Sequence, residues 1–123
     1  MRRSLLAVSL ISLAATAQAQ SAPIPLPPDV QRNVHCFMLY AAAAGNPKNK
    51  EVQAAGGLGM MYYLGRLDVR APGLDIVRAV RQEAKTLESP ANAKAIGAAC
   101  DSEAKKRRQQ LVQIGSELQK PER

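Results

Sequence analysis

The chain of 123 residues carries 17 basic and 10 acidic side chains, a net charge of +7, with one histidine, two cysteines and no tryptophan. This length provides a modest hydrophobic core for one domain and excludes two domains. The positive charge favours anionic partners in general and does not choose among them. One histidine and two cysteines are too few for a zinc or iron site within one chain. We therefore predict one small domain without a metal or another cofactor.

The N-terminus has the pattern of a secretory signal peptide. Two arginines after Met1 precede an apolar run at 5–15, and Ala17-Gln18-Ala19 follows as a small-residue cleavage site. The run of about 11 residues is shorter than the roughly 20 that a permanent membrane-spanning helix needs. Cleavage after Ala19 would leave 104 residues with a net charge of +5. We expect this mature chain in the periplasm or outside the cell, without an integral membrane segment.

Residues 20–28 contain four prolines and predict an extended leader before a helical domain at 29–120. Because proline lacks a backbone N–H donor, this segment cannot form a helix or a central strand. We expect a flexible leader that is mobile unless Ile24 and Leu26 dock on the domain. A proline-rich ligand segment is the alternative interpretation.

Apolar periodicity predicts four helices, and no alternating strand pattern of useful length is present. The Ser89-Pro90 pair is typical of an N-cap followed by a first-turn proline, and it separates the last two helices. The predicted bounds are 28–44, 47–68, 74–87 and 90 to near the C-terminus. The fold class is therefore all-α, a small four-helix bundle.

Each predicted helix has one apolar stripe, so we expect the four helices to share a single core. The stripe of the third helix consists of Leu74, Val77, Val80, Ala84 and Leu87. The stripe of the fourth alternates steps of four and three, as a heptad repeat does, through Ala93, Gly97, Cys100, Ala104, Arg107, Leu111, Ile114 and Leu118. Because Arg107 falls on this stripe, its stem must lie along the bundle or its charge must find an acidic partner.

The two cysteines, Cys36 and Cys100, predict one disulfide. An even cysteine count in a small exported domain is typical of a structural bond, and a reactive thiol would need an activating setting that the sequence does not provide. The bond would close a loop across 64 residues and stabilise the fold by about 4 kcal/mol in the chain-entropy model. It would place the first and fourth helices side by side.

The segment GGLGMMYYLGRL at 56–67 places three glycines inside the second helix. A glycine in a helix interior costs about 1 kcal/mol relative to alanine, so packing must compensate. Gly56 and Gly59 can form a smooth strip against the small side chains at 41–44 and bring two helix axes together. A kink and a ligand-facing groove remain as alternatives.

Tyr62 and Arg66 are the candidate partner-binding residues. They are four positions apart on the second helix and can present an aromatic ring and a cation together. In the alternative interpretation, the ring only covers the stem of the arginine on a solvated face. The basic tract at 105–108 spreads around its helix, and Asp101 and Glu103 can partly neutralise it, so we expect no nucleic-acid binding.

The sequence gives little support to catalysis. His35 is the single candidate base, and we expect it on the rim of the first helix. The serines of the mature chain do not lie in a nucleophile-elbow context, and the carboxylates do not cluster at metal-ligand spacing. We predict no catalytic residue and no enzyme activity.

The strings YYLGRLD at 62–68 and IGSEL at 114–118 resemble small exported helical bacterial proteins of unknown function. That resemblance implies no activity and assigns no catalytic residue. In its architecture, two cysteines joining helices in a small exported domain, the chain is also similar to periplasmic acid-stress chaperones. The leading hypothesis is a noncatalytic exported protein that binds an envelope component or another protein. The alternative is an acid-responsive chaperone, because protonation of the carboxylates would leave a strongly positive chain.

Overall fold

The computed structural model describes residues 22–121, so the predicted signal peptide at 1–19 lies outside the described residues. Within this range the chain forms four α-helices and no β-strand, which confirms the all-α prediction. The helices are α1 (Pro28–Ala44), α2 (Lys50–Arg70), α3 (Ile76–Glu88) and α4 (Pro90–Leu118). No helix among residues 22–121 combines the length and the apolar character needed to cross a membrane.

Short polar side chains set the helix starts. The Oδ1 atom of Asn49 accepts hydrogen bonds from the backbone N–H groups of Glu51 and Val52, both at 3.0 Å, so α2 begins at Lys50 and not at the predicted proline. Asp75 caps α3 in the same way, which moves its start to Ile76. Ser89 caps α4 as predicted.

α1 and α2 pack against each other with almost no space between their backbones. A Cβ atom built on Gly56 would lie 2.7 Å from the carbonyl carbon of Ala43 and closer still to the backbone nitrogen of Ala44. A Cβ atom on Gly59 would lie 2.6 Å from the Cε1 atom of Tyr40. These two glycines therefore permit the close approach that the sequence predicted, whereas Gly57 faces open space.

The buried residues form two clusters and not the single core expected for all four helices, and Phe37 packs against both clusters. One buried cluster, the α1–α3 core, joins the first three helices through Val30, Val34, Leu67 and Ala79. The other, the disulfide core, joins α1, α2 and α4 through Cys36, Tyr63 and Cys100. The chain splits its core because α3 and α4 pack at different parts of the α1–α2 pair.

The disulfide prediction is confirmed. Cys36 and Cys100 are bonded, their Cα atoms are 5.6 Å apart, and both residues are buried. The bond joins the first half of α4 to α1. The two helices are antiparallel there, as Arg32 lies beside Lys106 and Leu39 lies beside Gly97.

The predicted stripe of α3 is partly wrong. Val77 is 62% exposed, and the fully or nearly buried positions are Ala79 and Glu83. The small side chain of Ala79 lets α3 approach α1, and Glu83 finds a polar partner there. The hydrogen bonds from its polar partners offset part of the cost of burying the carboxylate.

The predicted stripe of α4 is buried at Cys100 and partly buried elsewhere in its first half, and it is exposed in its second half. Beyond Lys106, α1 has about one further turn to Pro28, roughly 6 Å, whereas α4 continues for about 18 Å to Leu118. Residues 108–118, which we name the α4 extension, therefore run past the end of the bundle. Three of the apolar side chains predicted to be core are exposed there: Leu111 by 68%, Ile114 by 54% and Leu118 by 81%.

Residues 22–27 of the leader dock on the helical domain through Ile24 and Leu26, the two residues expected to hold it. The backbone N–H of Ile24 donates to Oε1 of Gln82 at 2.6 Å, and the amide of Gln82 donates back to the Ile24 carbonyl at 2.9 Å. Arg78 donates to the carbonyl of Ala22, and Leu26 packs on the α1–α3 core. The described part of the leader is thus attached along α3 and not free.

Candidate functional site

All three tyrosines of the chain anchor α4 where it meets the bundle. The Tyr40 hydroxyl donates to Oδ1 of Asp101 at 2.8 Å, and Tyr62 donates to Oε1 of Glu103 at 3.3 Å. The Tyr63 hydroxyl lies 3.2 Å from the Cys100 carbonyl oxygen. The rings of Tyr40 and Tyr63 stack with centroids 5.7 Å apart, and Tyr62 meets Tyr63 edge-on.

Burial changes the acidity of two of these hydroxyls. It raises the pKa of Tyr63 to about 12, with the neighbouring tyrosines adding to the effect. Burial and the bond to Asp101 likewise raise the pKa of Tyr40 to about 12. Both side chains therefore remain neutral hydrogen-bond donors over the physiological pH range.

Tyr62 and Arg66 are in contact, as their spacing predicted. The Arg66 guanidinium donates to the Tyr62 hydroxyl at 3.1 Å, and its central carbon lies 5.7 Å from the centroid of the Tyr62 ring. Arg66 also forms an ion pair with Glu103 of α4. Tyr62 therefore does more than cover the aliphatic stem of Arg66, because the two residues together join α2 to α4.

Arg107 of α4 completes this cluster. Its Nε–H donates to the Tyr62 hydroxyl at 3.2 Å, so this oxygen accepts from two guanidiniums. Burial alone would raise the pKa of Tyr62, but the hydrogen bonds from Arg107 and Arg66 outweigh burial and lower it. Of the two alternatives predicted for Arg107, an acidic partner is not seen among the described residues, and its Nε–H meets a phenol oxygen instead.

The arginines line an open surface groove of about 430 Å³ between α2 and α4, which we name the arginine groove. Three guanidiniums border it, and the Arg66–Glu103 ion pair brings one carboxylate next to them. Val69, which is 79% exposed, and Gly65, where a side chain would meet open space, give it an apolar part. Its lining residues are Tyr62, Gly65, Arg66, Val69, Arg70 and Arg107.

The carboxylates expected to neutralise the basic tract at 105–108, those of Asp101 and Glu103, contact other helices instead. Asp101 accepts from Tyr40 and Glu103 pairs with Arg66, so neither carboxylate is bonded to the tract at 105–108. A tyrosine or arginine on a packed helix competes well for these carboxylates, because the solvated lysines lose side-chain entropy on pairing.

His35 is a buried residue, which corrects its predicted place on the rim. It is 8% exposed, and its Nε2 atom lies 2.7 Å from Oε2 of Glu83 on α3, which is 5% exposed. Gln31 and Gln82 also donate to this carboxylate, at 3.0 and 3.2 Å. Burial would raise the pKa of Glu83, but the bonds from His35, Gln31 and Gln82 outweigh burial and lower it.

Sequence reasoning missed three residues of these two sites. Apolar periodicity alone does not predict a buried Glu83. Its spacing of four from Ala79, which places both residues on one face of α3, is the signal in the sequence that indicates it. Arg70 and Arg107 join the arginine groove only because α2 and α4 meet there. No pattern within a single helix predicts that meeting.

Residues 22–121 contain no group of three or more histidine, cysteine, aspartate or glutamate side chains placed to hold a metal ion. The arginine groove offers hydrogen-bond donors and positive charge, and its titratable carboxylate is already paired. Such donors can form charge-assisted hydrogen bonds to an anionic group. No protein-family model matches this chain, and neither the curated proteins nor the solved structures provide a match.

Proposed function

We propose that the protein is a noncatalytic exported binding protein, acting in the periplasm or outside the cell after removal of residues 1–19. Its arginine groove holds an anionic group of an envelope component or of another protein. The observation that carries this proposal is the convergence of Arg66, Arg70 and Arg107 on one open groove beside a single carboxylate. The disulfide fits an extracytoplasmic compartment, where such bonds persist.

The charge balance favours an anionic ligand. Arg66 and Glu103 neutralise each other, which leaves the charges of Arg70 and Arg107 to attract a carboxylate or a phosphate. Tyr62 accepts from both neighbouring guanidiniums and so fixes their positions before a ligand arrives. A preorganised arginine loses less side-chain entropy on binding than a free one.

Replacement of Arg70 by glutamate tests the proposal. Labelled mature protein would be titrated against an isolated envelope preparation at increasing ionic strength. We expect saturable binding that weakens with salt, and an apparent affinity about tenfold lower for Arg70→Glu, because an attractive charge becomes repulsive.

Arg81 provides the matched control. It is exposed on α3 and outside the arginine groove, so Arg81→Glu makes the same change in net charge at another place. Equal losses in both variants would mean that net charge alone drives binding. That result, or binding that never saturates, would contradict the proposed site.

The buried His35–Glu83 pair favours a second candidate, an acid-responsive chaperone. Because the pKa of Glu83 is lowered in the folded chain, its contribution to stability is present above the ordinary carboxyl range and is lost as pH falls through the folded-state value. Acid would then loosen the α1–α3 contact and expose apolar surface.

Light scattering of an aggregating client protein in acid tests this second candidate. A chaperone suppresses the scattering only below the ordinary carboxyl range, and Glu83→Gln shifts the pH at which suppression begins. Scattering that the added protein leaves unchanged at every pH would remove the chaperone hypothesis. This outcome leaves the arginine groove untouched, because that groove is tested near neutral pH.

A further inference from the structure

The α4 extension exposes an ordered apolar face that no other element of residues 22–121 covers. Leu111, Ile114 and Leu118 continue the spacing of Cys100 and Arg107, so they lie on the side of α4 that faces the bundle. A depression of about 490 Å³ runs along this side, lined by Gln110, Gln113, Ile114, Glu117 and Leu118. We infer that this face pairs with the same face of a second copy of the chain, in antiparallel orientation.

The shape of the surroundings selects a helix as the occupant. Cys100 is bonded to α1 and Arg107 contacts α2, so both helices stand on the side toward which the apolar face is turned. A flat membrane lying along the α4 extension would collide with the ends of α1 and α2. An α-helix, which is a rod of about 10 Å diameter, can lie along the apolar face beyond the ends of α1 and α2.

The second copy supplies a helix of matching length and chemistry. Its own α4 extension carries the same three apolar residues at steps of three and four, which is the spacing of a coiled-coil seam. Placed antiparallel, with Leu111 beside Ile114 of the other copy, each apolar face covers the other by two-fold symmetry. The contact is then closed, which limits the assembly to a dimer.

The charges beside the seam favour the antiparallel orientation. In that pairing Glu117 of each copy lies next to Gln110 and Arg107 of the other, so an acidic residue meets a basic one twice. In a parallel pairing, Gln110 of each copy would face Gly115 of the other, so no charge pair would form at that position. Lys105 and Lys106 point away from the seam in either case.

The contact is small, so the dimer is expected to be weak. Two helices of about three turns bury less than the roughly 1,200 Å² of a standard stable interface. We expect a dissociation constant on the order of micromolar for the mature chain. The dimer does not require the proposed function of the arginine groove, although Arg107 belongs to both surfaces.

Sedimentation equilibrium of the mature chain, residues 20–123, over a range of concentrations tests the inference. We expect a monomer–dimer equilibrium and a dissociation constant at least about tenfold higher for Leu111→Ser/Leu118→Ser. Leu58→Ser/Met61→Ser is the matched control, because these two side chains are also exposed, by 77% and 60%, on α2. A monomer at every concentration, or equal losses in both variants, would overturn the inference.

Substitutions at Gln110 keep the test informative if the serine variant frays the helix. In the antiparallel dimer Gln110→Lys faces Glu117 of the other copy and tightens association about fivefold, whereas Gln110→Glu weakens it by a similar factor. A parallel pair places Gly115 opposite this position and responds to neither change. Equal dissociation constants for both variants would therefore exclude the antiparallel dimer even if the chain associates.

Discussion

The two halves of α4 follow one heptad-like pattern and have opposite surroundings. In the first half, Cys100 is bonded to α1, and Asp101 and Glu103 accept hydrogen bonds from tyrosines of α1 and α2. In the second half, Leu111 and Ile114 are mostly exposed although they occupy equivalent positions of the pattern. The same periodicity therefore predicts the face of a helix correctly without predicting what that face contacts.

The difference arises from lengths and not from side-chain chemistry. α1 and α2 have 17 and 21 residues, whereas α4 has 29, so the shorter helices end before α4 does. An apolar stripe that extends past the neighbouring helices indicates a binding partner as readily as a core within the chain. Four sets of substitutions compare the packed bundle with the α4 extension.

Removal of the disulfide should have the largest effect. We expect Cys36→Ala/Cys100→Ala to lower the free energy of unfolding by about 4 kcal/mol, because the unfolded chain regains the entropy of a loop across 64 residues. Denaturant unfolding of the mature chain measures this loss. A loss below about 1 kcal/mol would mean that the tyrosines alone anchor the first half of α4.

A methyl group at Gly56 should have the next largest effect. The Cβ atom of Gly56→Ala would collide with the backbone of Ala43 and Ala44 and force α1 away from α2, at a cost of about 3 kcal/mol. Gly57→Ala is the matched control and should stabilise the helix by about 1 kcal/mol, because nothing lies near its Cβ position. Similar values for the two variants, from thermal or denaturant unfolding, would contradict the close contact.

The helices, the disulfide and the close contact at Gly56 could be predicted because each depends on local signals. A capping serine, an apolar period, a cysteine count and a pair of small residues are all visible in the sequence. The arginine groove could be predicted only in part. Tyr62 and Arg66 share one helix, but Arg107 comes from another, and their meeting depends on how far α4 is inclined toward α2.

The buried Glu83 escaped prediction for a different reason. A charged residue on an amphipathic helix is assigned to solvent unless its partner is known, and that partner, His35, lies 48 positions away. Because the pairing depends on tertiary contact, the apolar period alone predicts a buried Val77, which is in fact exposed. The buried positions Ala79 and Glu83 each precede a predicted one by one residue, so the observed buried face of α3 is rotated by about 100° from the predicted face.

Glu83→Gln should have a moderate, pH-dependent effect. Near neutral pH we expect a loss of about 1 to 2 kcal/mol, since the charge-assisted bond to His35 becomes a neutral one. The wild-type chain should lose this advantage as pH falls from the ordinary carboxyl range through the lowered pKa of Glu83, so the two unfolding free energies converge in acid.

Unfolding free energies of both chains across the acid range check this convergence. Glu88→Gln is the control, because Glu88 is exposed near the end of α3 and makes the same change of charge. A difference between wild type and Glu83→Gln that stays constant with pH would show that Glu83 contributes packing only.

Changes in the α4 extension should affect stability least. We expect Leu111→Ser/Leu118→Ser to change the free energy of unfolding of the monomer by less than about 0.5 kcal/mol, because both side chains are already exposed. By contrast, Leu67→Ala in the α1–α3 core should cost about 3 kcal/mol. Dilute denaturant titrations, kept below the concentration at which the chain dimerises, measure the monomer alone. A large loss under those conditions would mean that the α4 extension folds back onto its own bundle, and the contrast between the two halves of α4 would disappear.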